Sequence, residues 1–336
     1  MLPLGKLKLD LLEDMLKRYA IAKDSRVKVG PRLGEDAAVI DFGSKYLVSH
    51  IDPITLTTDE IGLYAVNVPA NDVATRGAKP MWFNCAILLP ENKATERLAE
   101  NIFSQISYAC KELDVAWVDG HTEVTYGLNR PIVVAHVMGE VEKSKLVTTS
   151  GAKSGDDIIL TKGIAIEGTS IIAREKEIEL KEKGYSEDFI KKCKNYLHNP
   201  GISVVKDCLL ANEVARIHCM HDPTEGGLAM GLYEVARASN NGLVIYKDRI
   251  PILEESEILC KEYNLDPLGT VTSGSLILTA EPKESEKVLE EYRKAGIKAM
   301  IIGEIKGKNY GMKIIVEDRI HDLTYSEKDE ITKIYE

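Results

Sequence analysis

Apolar residues recur along the chain in two rhythms, and the breaks between them mark the elements. From Leu7 to Tyr19 they keep helical spacing. Leu9, Leu12 and Leu16 form one stripe, and Leu11 and Met15 widen it. A polar connection runs from Lys23 to Arg32. The apolar half of Gly34–Asp41 reads as a strand, Gly43-Ser44 as a turn, and Tyr46–Ile51 as a second strand ending at Asp52-Pro53. Thr57-Thr58-Asp59 can cap the helix that follows. In that helix Ile61, Ala65 and Val68 share a face, yet Pro69 and the pair Asn71-Asp72 interrupt it. Proline removes a backbone donor, and Asn and Asp compete for backbone hydrogen bonds. A helix carrying those costs in an apolar setting usually has something polar to bind. Gly77 ends it.

Met81–Leu89 reads as a long apolar strand, and Ala94–Leu113 as a helix striped by Leu98, Ile102 and Ile106. Val115–Val118 reads as a short buried strand ending in Asp119-Gly120-His121-Thr122-Glu123, and Pro131–Val141 as another strand. The first half thus carries five strands and two main helices. The polar run Thr148–Asp157 places a domain boundary there, giving an N-terminal domain over residues 1–150 and a C-terminal one over 151–336.

In the second half Ile158–Thr161 is a strand, Gly163–Gly168 a loop, and a helix begins near Thr169. Lys176–Lys194 is a charged helical region, and Ser203 can cap a helix ending near Ala215. Ile217–Met220 is a strand leading into His221-Asp222-Pro223-Thr224-Glu225-Gly226-Gly227, and a helix spans Leu228–Ser239. Strands at Leu243–Tyr246, Ser275–Thr279, Ala299–Ile305 and Met312–Val316 alternate with helices at Glu254–Tyr263 and Glu284–Ala295. That alternation gives an α+β or mixed α/β domain rather than a bundle.

The length, 336 residues, suits two domains rather than one core. The net charge of −10 argues against a broad nucleic-acid surface, though not against a small phosphate pocket. No apolar run approaches the length of a membrane span, and Met1–Lys6 lacks the pattern of a secretion signal, so a cytosolic protein is expected. The six cysteines form no Cys-x-x-Cys pair and lie in apolar segments, which points to reduced, buried thiols. Abundant Ile, Lys and Glu with little Phe hint at a heat-adapted source.

The chemistry gathers at strand ends. Asp36, Asp52 and Asp72 each stand beside an apolar run, and Asp119 ends another. Converging carboxylates repel unless a hard cation neutralises them, and Mg²⁺ prefers oxygen ligands. Separate turn or cap aspartates give the same pattern. His121 and His221 fit a base or ligand as well as a hydrogen-bonded structural residue. Gly226-Gly227 precedes a helix whose N–H groups and dipole favour phosphate; it fits a tight turn equally. There is no Gly-x-x-x-x-Gly-Lys-Ser/Thr loop and no Gly-x-Gly-x-x-Gly fingerprint.

Five segments together resemble the AIR synthetase (PurM-like) superfamily. They are Gly34-Glu35-Asp36-Ala37-Ala38-Val39, the strand end at Asp52, Asn71-Asp72-Val73-Ala74-Thr75-Arg76-Gly77-Ala78-Lys79-Pro80, Gly120-His121-Thr122-Glu123, and Asp222-Pro223-Thr224-Glu225-Gly226-Gly227-Leu228. The HypE and AIR synthase-related branch is nearest, through the last segment. The resemblance implies a two-domain fold whose N-terminal sheet pairs with a second subunit into a dimer barrel. It implies ATP bound across the dimer and domain interface, with Mg²⁺ on Asp36, Asp52 and Asp72. Asn71 is a polar neighbour, His121 lies in the matching nucleotide segment, and Thr224, Gly226 and Gly227 close over the phosphate end.

The implied chemistry is ATP-dependent activation of a small acceptor by phosphoryl transfer. Alternatives are a thiamine-monophosphate kinase and an ATP-binding maturation partner that works only in a complex. HypE usually ends in Pro-Arg-Ile-Cys. This sequence has no cysteine after Cys260, so that thiol chemistry is not expected. Where relatives have Gly-Asp-Thr, this chain has Gly120-His121-Thr122. Asp119 or Glu123 is the expected substitute, Asp119 sharing a strand face with His121. Glu225 replaces the Arg frequent in HypE, so a different acceptor specificity is expected. No nucleic-acid or membrane partner is expected.

Overall fold

The computed structural model describes residues 7–20, 24–32, 34–55, 57, 59–326 and 328–335. Met1–Lys6, Lys23 and Thr58, which entered the sequence reading, lie outside them. The chain divides into two units. Asp24–Gly30 and Asp36–Leu146 form one; Val147 onward, with the N-terminal helix and Gly34-Glu35, forms the other.

Helix α1 (Leu9–Tyr19) belongs with the C-terminal unit. Arg237 holds it there, donating to Asp10 at 3.1 Å and Glu13 at 2.8 Å. The N-terminal unit then contains β1 (Val27–Val29), β2 (Ala38–Asp41), β3 (Lys45–Ile54), α2 (Ile61–Thr75), β4 (Lys79–Pro90), α3 (Glu96–Glu112), β5 (Ala116–Thr125) and β6 (Ile132–Glu142). They build a six-stranded sheet in the order β1-β2-β3-β6-β4-β5. Only β4 and β5 run parallel, joined through α3 as a parallel pair requires. The pleat sends Val48, Phe83, Ile87, Val133, Ala135 and Val137 into a buried layer on one face. Helix α2 sits close against α3. A Cβ on Gly62 would meet the Ile102 carbonyl oxygen at 2.7 Å, so only glycine allows the approach.

Three sequence readings change here. Val27–Val29, inside the expected polar connection, is a strand, too short to show a period. β3 does not stop at Asp52-Pro53 but runs to Ile54. β5 is ten residues long and almost wholly exposed, not a short buried strand. Its polar half, Asp119–Glu123, reads as loop because an edge strand places its side chains in solvent.

The C-terminal unit contains β7 (Asp157–Thr161), α4 (Ile166–Glu175), α5 (Glu177–Glu182), α6 (Glu187–Lys194), α7 (Val205–Val214), β8 (Cys219–His221), α8 (Gly227–Ser239) and β9 (Gly242–Tyr246). It continues with α9 (Glu254–Glu262), β10 (Ile277–Ala280), α10 (Pro282–Ala295), β11 (Ala299–Lys306), β12 (Met312–Val316) and β13 (Arg319–Asp322). The seven-stranded sheet has the order β13-β12-β9-β11-β7-β10-β8. Leu228, Leu232 and Val235 of α8 pack with Ile158, Leu160, Leu243 and Ile277 of the sheet in one core. A second core joins α4, α6 and α9 through Ile172, Ile190 and Leu259. The fold is the expected mixed α/β, with a sheet in each unit.

All six cysteines are buried thiols outside any disulfide, as their apolar settings indicate. Among the described residues no helix is long and apolar enough to cross a membrane.

Candidate functional site

The N-terminal unit gathers its acids around α2. Asp72 lies on the helix's last turn but one. Asp52 and His50 lie two apart on β3 and so point to the same face. His50 Nε2 is 3.3 Å from an Asp52 oxygen and 3.4 Å from an Asp72 oxygen. Carboxylate oxygens of Asp36 and Asp72 lie within 4.8 Å of each other, and the same limit holds within His50, Asp52 and Asp72. Asp36 is held from behind: its Oδ2 accepts from Thr75 Oγ1 at 3.1 Å and from Arg76 Nη2 at 2.8 Å. Thr75 and Arg76 are fully buried, as is Asn71 beside Asp72. The Pro69–Thr75 stretch, awkward in an ordinary helix, thus presents Asp72 on the strand side and turns its end into a clamp for Asp36.

The electrostatics show what the cluster needs. Burial alone lowers the His50 pKa; the carboxylates of Asp72, Asp52 and Asp36 overcome this and raise it to about 10. His50 is therefore charged at neutral pH and supplies positive charge among three acids. Its buried Nε2 lies within ion-pair distance of two carboxylates yet makes no aligned hydrogen bond. The converging carboxylates offer the oxygen ligands that a hard cation such as Mg²⁺ prefers, and a bound cation would take over the positive charge that His50 supplies.

Asp119 and His121 do not join this cluster within the chain. Asp52 pairs with Ala135, Ala135 with Cys85, and Cys85 with Gly120. His121 instead pairs with Ala86, Ala86 with Val134, and Val134 with Pro53. Paired residues share a face, so His121 and Asp52 project from opposite faces of the sheet. Asp119, paired with Asn84 and two residues before His121 in unbroken register, shares the His121 face. His121 Nε2 contacts Glu123 at 3.2 Å, and both are exposed. The expectation that Asp119 fills a metal position beside Asp36, Asp52 and Asp72 of the same chain is thus corrected by the pleat.

The C-terminal unit places Thr224–Gly227 in the turn from β8 to α8. Gly226 and Gly227 both have left-handed φ, 82° and 64°. A Cβ on Gly227 would lie 2.5 Å from the Leu268 carbonyl and 2.7 Å from that of Thr270. Both glycine amides are taken within the chain: Gly226 N–H donates to Asp329 at 2.6 Å and Gly227 N–H to the Thr224 carbonyl at 3.1 Å. The expectation that these amides face a phosphate is corrected accordingly, since a turn this tight closes its own donors. Thr272 N–H also reaches the Thr224 carbonyl, at 3.3 Å.

His221 is buried and pairs with Glu234 of α8 at 2.9 Å, the structural alternative for that histidine. Glu167, in the first turn of α4, hydrogen-bonds Ser273; burial, with Asp329 and Glu225 nearby, raises its pKa to about 7. Glu35, neighbour of Asp36, serves the C-terminal unit instead. It accepts from Ser150 Oγ at 2.6 Å and from the amide of Thr149 at 3.2 Å.

Sequence reasoning missed His50, Arg76, Glu167 and Asp329. The pattern His50-x-Asp52 on a strand was the available signal for the first. Arg76 lay inside a quoted motif without a role, and nothing local marks the other two.

Residues 34–141 match the N-terminal domain of AIR synthase related protein, and residues 153–315 match its C-terminal domain. The chain therefore belongs to the AIR synthase related family. Within it, the chain is 31% identical over 328 residues to a putative hydrogenase expression/formation protein of Methanocaldococcus jannaschii, covering 95% of this chain and 94% of that one. It is 30% identical over 259 residues to the carbamoyl dehydratase HypE of Azotobacter vinelandii, covering 76% and 72%. The crystal structure of hydrogenase maturation protein HypE in complex with ATP superposes with a TM-score of 0.74 at 21% identity, covering 98% of each chain. This is an enzyme family, and its two-domain PurM-like fold is the fold of this chain.

Proposed function

We propose that the chain is an ATP- and Mg²⁺-dependent enzyme of the HypE-like branch that activates a small acceptor by phosphoryl transfer. The observation that carries this reading is the convergence of carboxylates on Asp72, with Asp36 on one side of it and Asp52 and His50 on the other. Those three carboxylates would hold Mg²⁺, which supplies charge neutralisation for the nucleotide phosphates. Arg76 and Thr75 fix Asp36, and buried Asn71 supports the turn of α2 that carries Asp72. Thr224 would serve the bound nucleotide, with Gly226 and Gly227 shaping its turn rather than donating from it. The name carbamoyl dehydratase, borne by a relative, points to a carboxamide oxygen as the kind of atom activated. Phosphorylation converts such an oxygen from a poor leaving group into a good one.

The reading includes a homodimer and a cytoplasmic location. In the N-terminal unit, the sheet face opposite the buried layer carries exposed Ile51, with Leu88, Val134 and Met138 only half-buried. Its edge strand β5 exposes Val118 and Val124. Such a surface calls for a partner, and a second copy brings the same surface. Asp119 and His121 lie on that face, so they would contribute to a site only from a partner subunit.

Calorimetric titration with Mg²⁺ and a non-hydrolysable ATP analogue tests the reading. Wild type binds, and D72N and D52N each weaken binding by about tenfold or more, the loss of one charge-assisted ligand. Undiminished binding by the double variant would sink it.

A further inference from the structure

The C-terminal segment is tied to the turn that precedes α8. Its Asp329 carboxylate takes backbone donors from three places: Gly226 N–H at 2.6 Å, Val271 N–H at 3.2 Å and Ile331 N–H at 2.8 Å. The next residue reinforces the hold, since Glu330 Oε2 accepts the Asp266 N–H at 2.9 Å. Behind them Ile331 and Ile334 are buried in the core of α4, α6 and α9, so the segment has a fixed base. One short stretch therefore bridges two loops, Thr224–Gly227 and Asp266–Thr272.

The carboxylate suits the place. It sits at the N-terminus of the thirteen-residue α8, where a negative charge is favoured by the helix dipole. Gly226 and Gly227 follow one another in left-handed conformation, and glycine has the freest backbone of any residue. A turn built on two such residues has many alternatives to choose among, and a charged acceptor on its first amide removes most of them.

We propose that Asp329 is a positioning residue: it touches neither nucleotide nor acceptor, but fixes the Thr224–Gly227 turn so that Thr224 is presented in one orientation. This rests on the reading that Thr224 serves a bound nucleotide. The hydrogen bond from Gly226 N–H places Asp329 at the end of the turn nearer α8, while Thr224 occupies its first position. The segment that carries Asp329 is then a strap whose hydrophobic base lies in one core and whose charged tip sets the geometry of another element.

The test uses the full chain with D329A, D329N and D329E. Amide hydrogen exchange is followed in peptides covering Gly226 and Val271, and binding and turnover of Mg-ATP are measured in parallel. D329A is expected to speed exchange at both amides by about tenfold or more, as loss of a charge-assisted bond requires, with β7 and β11 unchanged. Its KM for ATP rises about tenfold and its kcat falls less, D329N is intermediate, and D329E restores most of the KM. D329N keeps the side-chain shape, so it reads the effect if D329A folds poorly. Faster exchange with unchanged nucleotide parameters would show a merely structural latch and overturn the proposal, as would unchanged exchange. Wild type failing to bind Mg-ATP sinks the functional reading itself, and the exchange data still distinguish that from failure of the latch.

Discussion

Arg76 donates to Asp36 at 2.8 Å across forty positions of sequence, with the guanidinium fully buried. The pair joins the end of α2 to the segment before β2. Breaking a buried pair from one side leaves an uncompensated charge. R76M is therefore expected to destabilise the protein by about 3 kcal/mol or more. Urea unfolding of R76M and of R76M/D36N reads this, the double variant recovering part of the loss. Equal stability of R76M and wild type would remove the pair from its structural role.

The turn before α8 tolerates no side chain at Gly227. G227A must accept a left-handed φ of 64° and a Cβ 2.5 Å from the Leu268 carbonyl. A cost of about 2 kcal/mol or more is expected, seen as a lowered Tm. G184A, at a left-handed glycine with open space around its Cβ, should cost less.

Glu167 gives a pH dependence of defined sign. Its pKa is raised from 4.5 to about 7, first by burial, so the folded chain binds this proton more tightly than the unfolded one. Stability from this group is greatest below pH 4.5 and is lost as pH rises through about 7. E167Q carries no such charge, so its stability relative to wild type should rise across that window and level off above it. Denaturant unfolding at a series of pH values measures the difference; a constant offset would contradict the assignment.

The open face of the N-terminal sheet predicts association. I51E places a charge among apolar residues on that face and V124K places one on its edge strand. Each should shift the protein toward monomer in sedimentation at micromolar concentration, as buried like charges across a two-fold would require. A monomeric wild type would end this reading.

Much of the fold was legible locally. The stripes of α1 and α3 and the apolar run of β4 follow from period alone. Those signals are carried by residues next to one another, so one sequence suffices. What failed was β5, because an edge strand need not be apolar, and β1 and β13, too short for a period. At the site, the sequence supplied Asp36, Asp52 and Asp72 as acids beside apolar runs and marked Asn71-Asp72 as costly in a helix.

The sequence by itself determined which acids exist, where the helix would be strained, and that glycines shape the turn before α8. Only the tertiary structure decided their company. It put His50 between Asp52 and Asp72, set Arg76 behind Asp36, and turned Asp119 and His121 to the other face of the sheet. It spent the Gly226 amide on Asp329, more than a hundred residues away. The reason is physical: a strand's pleat decides which side a residue faces, and pairing register decides which residues meet. Both are settled by packing between segments that the linear chain keeps far apart.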